Sequence, residues 1–253
     1  MLEQSLNAKD YSLILGMPGT GKTFTTCMLL KILLEQGKRV LITSYTHLGL
    51  DNIILKFLEI FADDKKSVAR MVASSSNASN AKISSITYDN KKQRSFDEIT
   101  KYLDSKPIMF TTSLSTGNPI LKSRKFDYVI VDEASQTVEP IMLASLFFAD
   151  KFVLIGDYFQ LSPIIKSTEA TDLGMAISLF ERLCKKHPAA VTYLDIQYRM
   201  NADIVTLCNE LVYDGKLKTA PGVGNSRLDF SQRLEGSQSN KYLDEKVLWV
   251  KEI

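Results

Sequence analysis

The sequence predicts an α/β fold in which a parallel β-sheet is flanked by helices. Short apolar runs of strand length alternate with longer segments of good helix formers. Strand–helix–strand units of this kind form parallel sheets through right-handed crossovers. The composition agrees, because 45% of the 253 residues are hydrophobic and 24% are charged, as in ordinary globular chains.

Each element is predicted from a local pattern. The apolar run 11–15 is short and stops at Gly16, which favours a buried strand over a helix. Good helix formers fill 22–35, and Gly37 follows where a helix end favours a left-handed residue. The same reasoning predicts strands at 39–43, 108–112, 128–131, 152–155, 192–196 and 247–250, and helices at 48–60, 137–148, 174–186 and 202–212.

Two stretches lack these patterns. Residues 62–106 include a Ser/Asn-rich stretch at 74–80 and a charged run at 91–94. We therefore predict a solvated insertion there, with modest helical patterning near 96–103. Residues 220–240 are polar and weakly patterned.

Composition and charge exclude several classes of function. The net charge of +2 gives no global basic field, so a nucleic-acid site would have to be a local patch. The 3 cysteines form no C-x-x-C pair, which excludes a disulfide framework and a zinc or iron–sulfur site recognisable from spacing. No apolar stretch approaches the ~18 residues of a membrane span, and the polar N-terminus is unlike a signal peptide. We expect an intracellular protein with no membrane partner.

A glycine-rich segment follows the first predicted strand and opens the first predicted helix. It matches the phosphate-binding pattern G-x-x-x-x-G-K-[ST] over Gly16, Met17, Pro18, Gly19, Thr20, Gly21, Lys22 and Thr23. Its glycines let backbone N–H groups turn toward phosphate oxygens, and the helix N-terminus adds its positive dipole end. We predict that this segment, with Phe24, binds ATP. Lys22 is expected to reach the β- and γ-phosphates, and the Thr23 hydroxyl to coordinate Mg²⁺.

Two carboxylates, Asp132 and Glu133, come directly after a predicted buried strand. In open parallel sheets, ligands bind at the carboxyl ends of the strands. We predict that Asp132 holds Mg²⁺ through water and that Glu133 orients and deprotonates the attacking water. The alternative is an ordinary solvated strand end, since Asp-Glu is a common dipeptide.

The strand predicted at 152–155 also ends in polar groups. Asp157 and Gln160 follow it and are candidates for sensing the γ-phosphate or positioning water. A solvated turn is the alternative.

Three motifs, in this order, resemble the superfamily-one helicases of the up-frameshift-like 5′→3′ class. They are Asp-Glu-Ala-Ser-Gln at 132–136, Gly-Asp-x-x-Gln-Leu at 156–161 and Gln-Tyr-Arg-Met at 197–200. Segments at 16–23, 43–52, 146–148 and 207–215 are similar to the eukaryotic DNA replication ATP-dependent helicase/nuclease family. The resemblance implies a RecA-like P-loop NTPase fold, with a first domain at 1–190 carrying the insertion and the start of a second RecA-like domain at 191–253.

The resemblance also implies roles for single residues. Gln160 matches the family's γ-phosphate-contacting glutamine, Tyr198 a residue that stacks on adenine, and Arg199 an arginine that reaches the γ-phosphate from the second domain. Two further segments are similar to segments that grip single-stranded DNA, and their hydroxyl, imidazole and backbone N–H groups suit sugar–phosphate contacts. The candidate DNA-binding residues are Thr43, Ser44, Thr46, His47, Asn52, Thr111, Thr112 and Ser113. Plain strand ends and a helix cap are the alternative.

The match to the family is incomplete. Tyr158 stands where the family usually has His, and Ser162 where it has Pro. The later motifs of the second domain and the nuclease domain do not occur in the sequence. We therefore expect the chain to bind Mg·ATP, to hydrolyse it slowly and not to unwind a duplex alone, with the missing domain or a partner protein covering its C-terminal region. The resemblance implies a nuclear protein.

The leading interpretation is an ATP-dependent DNA helicase motor that translocates 5′→3′ on single strands during replication or repair. A catalytically silent adaptor that uses ATP only structurally is the second interpretation. The incomplete second domain favours the adaptor, whereas Glu133 and Arg199 argue against it. RNA is an alternative substrate, because the up-frameshift-like class contains both kinds of helicase.

Overall fold

The structure, a computed structural model, describes residues 2–71, 80–88, 96–122 and 124–223. The strands in these ranges are β1 (Tyr11–Gly16), β2 (Val40–Ser44), β3 (Val68–Arg70), β4 (Ile108–Thr112), β5 (Phe126–Asp132), β6 (Ala149–Gly156), β7 (Val191–Leu194), β8 (Ile196–Gln197) and β9 (Lys218–Thr219). The α-helices are α1 (Leu2–Asn7), α2 (Lys22–Glu35), α3 (His47–Ile60), α4 (Ala81–Ser84), α5 (Phe96–Asp104), α6 (Pro119–Lys122), α7 (Glu139–Leu146), α8 (Thr168–Asp172), α9 (Leu179–Lys186) and α10 (Ala202–Cys208). Short 3-10 turns cover Ala62–Ser67, Ser113–Gly117, Ala134–Gln136 and Pro188–Ala190, and a π-helical turn covers Asn209–Tyr213.

Seven parallel strands form the main sheet in the order β3-β4-β2-β5-β6-β1-β7. The two short strands β8 and β9 pair with each other in a separate parallel sheet. This arrangement confirms the predicted α/β fold with flanking helices. Because the carboxyl ends of parallel strands meet at one edge, the segments after β1, β5 and β6 lie along the same edge, with β6 between β5 and β1.

Two apolar cores cover the two faces of the main sheet. Neighbouring residues of β1 point to opposite faces, so Leu13 belongs to one core and Ile14 to the other. Helices α2 and α3 pack on the face of Ile14, to which α2 contributes Leu30. Helices α7 and α9 pack on the face of Leu13, to which they contribute Met142 and Phe180. Since both faces are covered, the central strands are continuous apolar runs, as predicted from the sequence.

The region predicted as a solvated insertion contains a strand of the main sheet. β3 pairs with β4, with Val68 opposite Ile108. The N–H of Arg70 donates to Ile86 O at 3.0 Å, and the N–H of Tyr88 donates to Arg70 O at 2.8 Å, so the segment 80–88 is attached to this edge as well. The prediction of a loop is therefore wrong for 68–70, whereas α5 forms where helical patterning is predicted. Residues 74–79 and the charged run 91–94 lie outside the described residues.

The predicted start of a second domain at residue 191 also differs from the structure. β7 pairs with β1, with Leu13 opposite Val191 and Gly16 opposite Leu194, so these residues belong to the main sheet. The strand predicted at 192–196 is divided at Asp195, and only β8 leaves the main sheet. The tail beyond residue 223, including the strand predicted at 247–250, lies outside the described residues. No helix within the described ranges is long and apolar enough to cross a membrane.

Candidate functional site

The phosphate loop connects β1 to α2, and its conformation depends on its glycines. Gly19 and Gly21 adopt φ angles of 72° and 83°, a left-handed conformation in which a side chain is strained. The Thr20 hydroxyl donates to Met17 O at 2.7 Å and closes the turn. The loop is thus a tight, internally bonded turn of the kind that directs backbone N–H groups toward an anion.

Lys22 and Thr23 begin α2 directly after the loop. Nζ of Lys22 donates to Gly16 O at 2.8 Å, and an ammonium group keeps two more hydrogens for other acceptors. A Cβ atom on Gly16 would lie 2.4 Å from Cγ of Lys22, so glycine at this position leaves room for the lysine chain. The Thr23 side chain is half-buried and makes no hydrogen bond within the described part of the chain. A cation and a free hydroxyl therefore lie at a helix N-terminus, where phosphates bind.

The segment 195–200, which follows β7, crosses directly over the phosphate loop and is called the crossing segment below. The N–H of Met17 donates to Leu194 O at 3.1 Å, and the N–H of Tyr198 donates to Gly19 O at 2.9 Å. A Cβ atom on Gly19 would lie 3.0 Å from Cβ of Arg199, so close backbone approach also favours glycine here. Tyr198 and Arg199 are both exposed beside the loop. The structure therefore brings together the loop and the two residues to which the family resemblance gives contacts with adenine and with the γ-phosphate.

Gln197 organises this crossing segment, and sequence reasoning did not single it out. Its side chain is 0% exposed. Oε1 accepts the N–H groups of Arg199 at 2.7 Å and Met200 at 2.6 Å, while Nε2 donates to Met200 O at 2.9 Å and to Thr219 Oγ1 at 3.2 Å. All its hydrogen-bonding capacity is used locally, so Gln197 holds the backbone of Arg199 in place. The available signal was its position at the head of the Gln-Tyr-Arg-Met motif.

An open cleft of about 630 Å³ lies between the start of α2 and the crossing segment. Three aromatic rings line it, from Phe24, Tyr193 and Tyr198, and they are 51%, 50% and 64% exposed. Asp195 also lines it. Aromatic faces and one carboxylate beside a phosphate loop suit a flat, polar ring such as a nucleobase. Of these four residues, Tyr193 and Asp195 were missed from the sequence, because strand-like residues give no local sign of a cleft.

The acidic pair lies at the end of β5. Asp132 is 4% exposed, and its Oδ1 has no hydrogen-bond partner among the described residues. Burial, helped by the negative charge of Glu133, raises the pKa of Asp132 to about 7, and Lys22 acts in the opposite direction. Glu133 has a φ of 50°, which is rare for a residue other than glycine, and its Oε2 accepts a 3.2 Å hydrogen bond from Nε2 of Gln136. Strained residues of this kind cluster at functional sites.

The residues of this edge fit a divalent cation. A buried carboxylate with an unpartnered oxygen gains from a nearby positive charge, and Asp132 is such a group. The Thr23 hydroxyl, which makes no hydrogen bond within the described residues, offers a second oxygen of the kind that Mg²⁺ takes. Mg²⁺ commonly takes one or two protein oxygens and completes its shell with phosphate oxygens and water. Within the described residues there is no cluster of three or more His, Cys, Asp or Glu residues, so a site built only from protein side chains is not formed there.

The third polar strand end differs from the sequence prediction in one residue. Asp157 is 1% exposed and accepts three hydrogen bonds, from Phe159 N at 3.1 Å, Gln160 Nε2 at 2.6 Å and Tyr213 Oη at 2.8 Å. Both oxygens of this carboxylate already accept hydrogen bonds from the chain, and a buried carboxylate is a poor direct partner for a negatively charged phosphate. Gln160 is exposed at the edge, where the prediction places a phosphate-contacting amide.

Five of the candidate DNA-binding residues have buried side chains. Four of them end β2 and β4, and the fifth begins the turn after β4: Thr43, Ser44, Thr111, Thr112 and Ser113. Ser44 is in register with Thr112 on one side and Asp132 on the other, so these residues share the edge of the acidic pair. Within the part of the chain that the structure describes, the hydroxyls of Thr43, Ser44 and Ser113 have no hydrogen-bond partner, whereas the hydroxyls of Thr112 and Ser115 share a 2.8 Å hydrogen bond. Because they are buried, these side chains are closed to a nucleic-acid strand in this structure.

The remaining three candidates lie on α3. Thr46 caps the helix, and its Oγ1 accepts the N–H of Gly49 at 3.0 Å. His47 and Asn52 are exposed. These three exposed residues lie at the same end of the sheet as the phosphate loop.

Two family profiles match this chain. One, described as an AAA domain, matches residues 1–99 and 88–168. The chain belongs to the AAA domain family. A second profile, also described as an AAA domain, matches residues 175–250.

Among named relatives, this AAA domain chain is similar to DNA replication ATP-dependent helicase/nuclease DNA2 of two distant eukaryotes. It is 45% identical to the Xenopus laevis protein over 226 residues, which cover 87% of this chain and 20% of the relative. It is 39% identical to the Saccharomyces cerevisiae protein over 236 residues, which cover 92% of this chain and 15% of the relative. The chain thus spans a fifth or less of the length of these two relatives.

Among solved structures, this chain is similar to the helicase chain in the structure of Arterivirus nonstructural protein 10 (helicase) with DNA. The TM-score is 0.51 at 18% identity, with 89% of this chain and 45% of that chain covered. The likeness shows that the two share a fold.

The structure also contains a buried ion pair that the sequence patterns did not predict. Nε of Arg70 donates to Asp51 Oδ1 at 2.7 Å, and Nη2 donates to Oδ2 at 3.2 Å. Arg70 is 1% exposed and ends β3, whereas Asp51 lies in the first turns of α3. This bidentate ion pair fixes the helix that carries His47 and Asn52 to the edge of the sheet. A predicted solvated insertion gave no reason to expect a buried arginine.

Proposed function

We propose that this chain is the ATP-binding and ATP-hydrolysing part of a DNA helicase. The observation that carries the proposal is the meeting of three groups at one edge: Lys22 at the phosphate loop, Asp132 and Glu133 beside it, and Arg199 held over the loop. A phosphate cradle alone supports binding. A carboxylate and a second cation around the same cradle support hydrolysis.

The roles follow from charge and position. The ammonium group of Lys22 neutralises phosphate oxygens, and the exposed guanidinium of Arg199 stabilises charge that develops on the transferred phosphoryl group. The carboxylate of Glu133 orients a water molecule and accepts its proton. Asp132 and the hydroxyl of Thr23 would hold Mg²⁺, which supplies charge neutralisation for the phosphates when bound.

The nucleotide's base would lie in the aromatic cleft. Tyr198 is exposed there and is tied through its backbone to Gly19, so its ring can stack on adenine while the phosphates occupy the loop. Gln160, at the neighbouring strand end, would donate its amide to the γ-phosphate.

The proposed second ligand is single-stranded DNA. The relatives that support this choice are named as DNA replication helicase/nucleases. Thr46, His47 and Asn52 offer exposed polar groups for sugar–phosphate contacts, while the buried strand-end residues are proposed to act through their backbone. The net charge of +2 leads us to expect modest affinity that falls steeply with salt.

The finer parts of the proposal are 5′→3′ translocation, a role in replication or repair, and a nuclear location. RNA is an alternative strand. A silent adaptor is a second candidate function. The left-handed Glu133 and the unpartnered Oδ1 of the buried Asp132 argue against it, because a decayed site has no reason to keep backbone strain and an unsatisfied buried oxygen.

The decisive experiment measures Mg²⁺-dependent ATP hydrolysis with and without single-stranded DNA. Glu133→Gln should abolish turnover while keeping nucleotide binding. Glu181→Gln, on α9 and paired with Lys185, is the matched control and should behave as wild type. Nucleotide binding without turnover in any sample would favour the adaptor. Replacing DNA with RNA, and single strands with a duplex, tests strand preference and the expectation that this chain alone does not unwind.

A further inference from the structure

Asp157 links two parts of the chain that are far apart in sequence. It directly follows β6, and its Oδ2 accepts hydrogen bonds both from Gln160 Nε2 at 2.6 Å and from the Tyr213 hydroxyl at 2.8 Å. Tyr213 is 56 residues away, in the π-helical turn after α10. Oδ2 of Asp157 therefore accepts hydrogen bonds both from the exposed amide of Gln160, at the sheet end that carries the phosphate loop, and from Tyr213, which follows the segment that crosses the loop.

Tyr213 is held rigidly where it makes this bond. It is 4% exposed, and its ring meets the ring of Phe159 edge-on, with centroids 5.7 Å apart at 72°. The turn beyond it is closed by Asn209, whose side chain bonds both the N–H of Leu217 at 3.0 Å and its carbonyl at 2.9 Å. Burial and the bond to Asp157 both raise the pKa of the Tyr213 hydroxyl, so it stays a proton donor.

The network also sets the orientation of Gln160. A buried carboxylate paired with donors only accepts hydrogen bonds, so the amide nitrogen of Gln160 must face Asp157. That nitrogen carries two hydrogens: one is donated to Asp157, and the amide also lies within hydrogen-bonding reach of the Tyr213 hydroxyl, an interaction that acts to lower the pKa of Tyr213. When ATP is bound, the second hydrogen would turn from Tyr213 to a phosphate oxygen. The position of the Asp157 carboxylate therefore decides where the remaining hydrogen is presented.

We propose that Tyr213 is a positioning residue for ATP hydrolysis, acting through Asp157 and through its own contact with Gln160 to hold that amide in its working orientation. The inference rests on the proposed function, and it adds a physical link between the phosphate edge and the turn after α10. Movement of that turn against the main sheet would lengthen the hydrogen bond from Tyr213 to Asp157. It would thereby change the geometry of the hydrogen bond that Gln160 donates to the same oxygen, Oδ2.

A double-mutant cycle tests the link. Tyr213→Phe removes only the hydroxyl and keeps the ring packed on Phe159. Because Tyr213→Phe removes a hydrogen bond to a charged group, we expect kcat for ATP hydrolysis to fall about tenfold, with KM changed little. In a Gln160→Ala background the same substitution should have almost no further effect, because the residue through which it acts is gone. A purely structural role would give equal losses in both backgrounds.

Tyr128→Phe is the matched control. Tyr128 is 6% exposed, lies in the half of β5 far from the acidic pair, and its hydroxyl makes no hydrogen bond within the described residues. This variant should keep the wild-type kcat. Melting temperatures of all variants establish that they fold.

The outcomes separate this inference from the proposed function. Wild-type protein that hydrolyses ATP, with additive losses for Tyr213→Phe and Gln160→Ala, or with no loss for Tyr213→Phe, would overturn the inference alone. If the wild-type protein binds ATP without turnover, the same double-mutant cycle is measured on ATP affinity. Coupled effects of the two substitutions would then support the inference, and additive effects would overturn it. Wild-type protein that does not bind ATP would overturn the proposed function and the inference with it.

Discussion

The backbone N–H of Tyr198 donates a 2.9 Å hydrogen bond to the carbonyl oxygen of Gly19. The two residues are far apart in sequence, and the bond joins the phosphate loop to the segment that carries Arg199. The loop and the candidate arginine therefore share one backbone contact, so a distortion of either is passed to the other.

Gly19→Ala tests this contact. The added Cβ would be strained at a φ of 72° and would lie 3.0 Å from Cβ of Arg199. Gly37→Ala is a matched control, because Gly37 has a φ of 69° and open space around it. We expect Gly37→Ala to lose about 1 kcal/mol of stability in urea unfolding from backbone strain, and Gly19→Ala to lose at least as much, since it adds crowding against Arg199 to the same strain. Only Gly19→Ala should also lower ATP turnover, and an equal loss of turnover in both variants would contradict the contact.

Replacement of Lys22 should abolish most turnover. Its ammonium group is the cation placed directly at the phosphate loop, 2.8 Å from Gly16 O. We expect Lys22→Met to lower kcat/KM for ATP by about 100-fold or more, comparable with the loss of one preorganised donor in an enzyme site. Lys31→Met changes the same residue type on the same helix, where Lys31 pairs with Asp64 on the surface, and should leave turnover within about twofold of wild type. Similar losses in the two variants would mean that helix α2, and not the charge, is at fault.

The stability of the metal-free protein should depend on pH through Asp132. Burial raises the pKa of this carboxyl to about 7, so the folded chain keeps its proton at pH values where the unfolded chain has lost it. Its contribution is complete below the unfolded pKa of about 4 and is lost as the pH rises to about 7. Asp132→Asn removes this titration. The difference in free energy of unfolding between variant and wild type should therefore grow by a few kcal/mol, in favour of the variant, from pH 4 to pH 7. A difference that stays constant across this window would show that the Asp132 carboxyl ionises normally.

The buried pair of Arg70 and Asp51 should be costly to break. Arg70→Met leaves Asp51 without its cation, and we expect a loss of about 3 kcal/mol in the free energy of unfolding, together with weaker single-stranded DNA binding through the displaced start of α3. The exposed pair of Lys56 and Glu59 on the same helix is the control, and Lys56→Met should cost less than about 0.5 kcal/mol. If the two substitutions prove equally mild, Arg70 does not fix α3.

Sequence patterns predicted the elements that are decided locally. The apolar run of β1, the helix formers of α2 and the glycines between them specify the strand, loop and helix within a few consecutive residues, so the phosphate loop could be placed in advance. The acidic pair was placed for the same reason, because the apolar run before Asp132 marks a strand end.

Features that depend on distant residues could not be read in this way. β3 is only three residues long, and its pairing with β4 and the ion pair from Arg70 to Asp51 both involve residues outside it. The burial of Thr43 and Thr111 follows from packing at the strand ends, and the bond between Asp157 and Tyr213 bridges 56 residues. None of these leaves a periodic signal in the chain.

The strand order has a consequence for synthesis of the chain. β1 is the first of the seven strands to leave the ribosome, yet its two neighbours in the sheet, β6 and β7, are the last two to be made. Both edges of β1 therefore remain unpaired until Ala149–Gly156 and then Val191–Leu194 emerge. An apolar strand with open edges is prone to wrong pairing and aggregation. We expect the nascent chain to depend on chaperones that shield β1 during this interval, and the nucleotide cradle to form only after the crossing segment has left the exit tunnel.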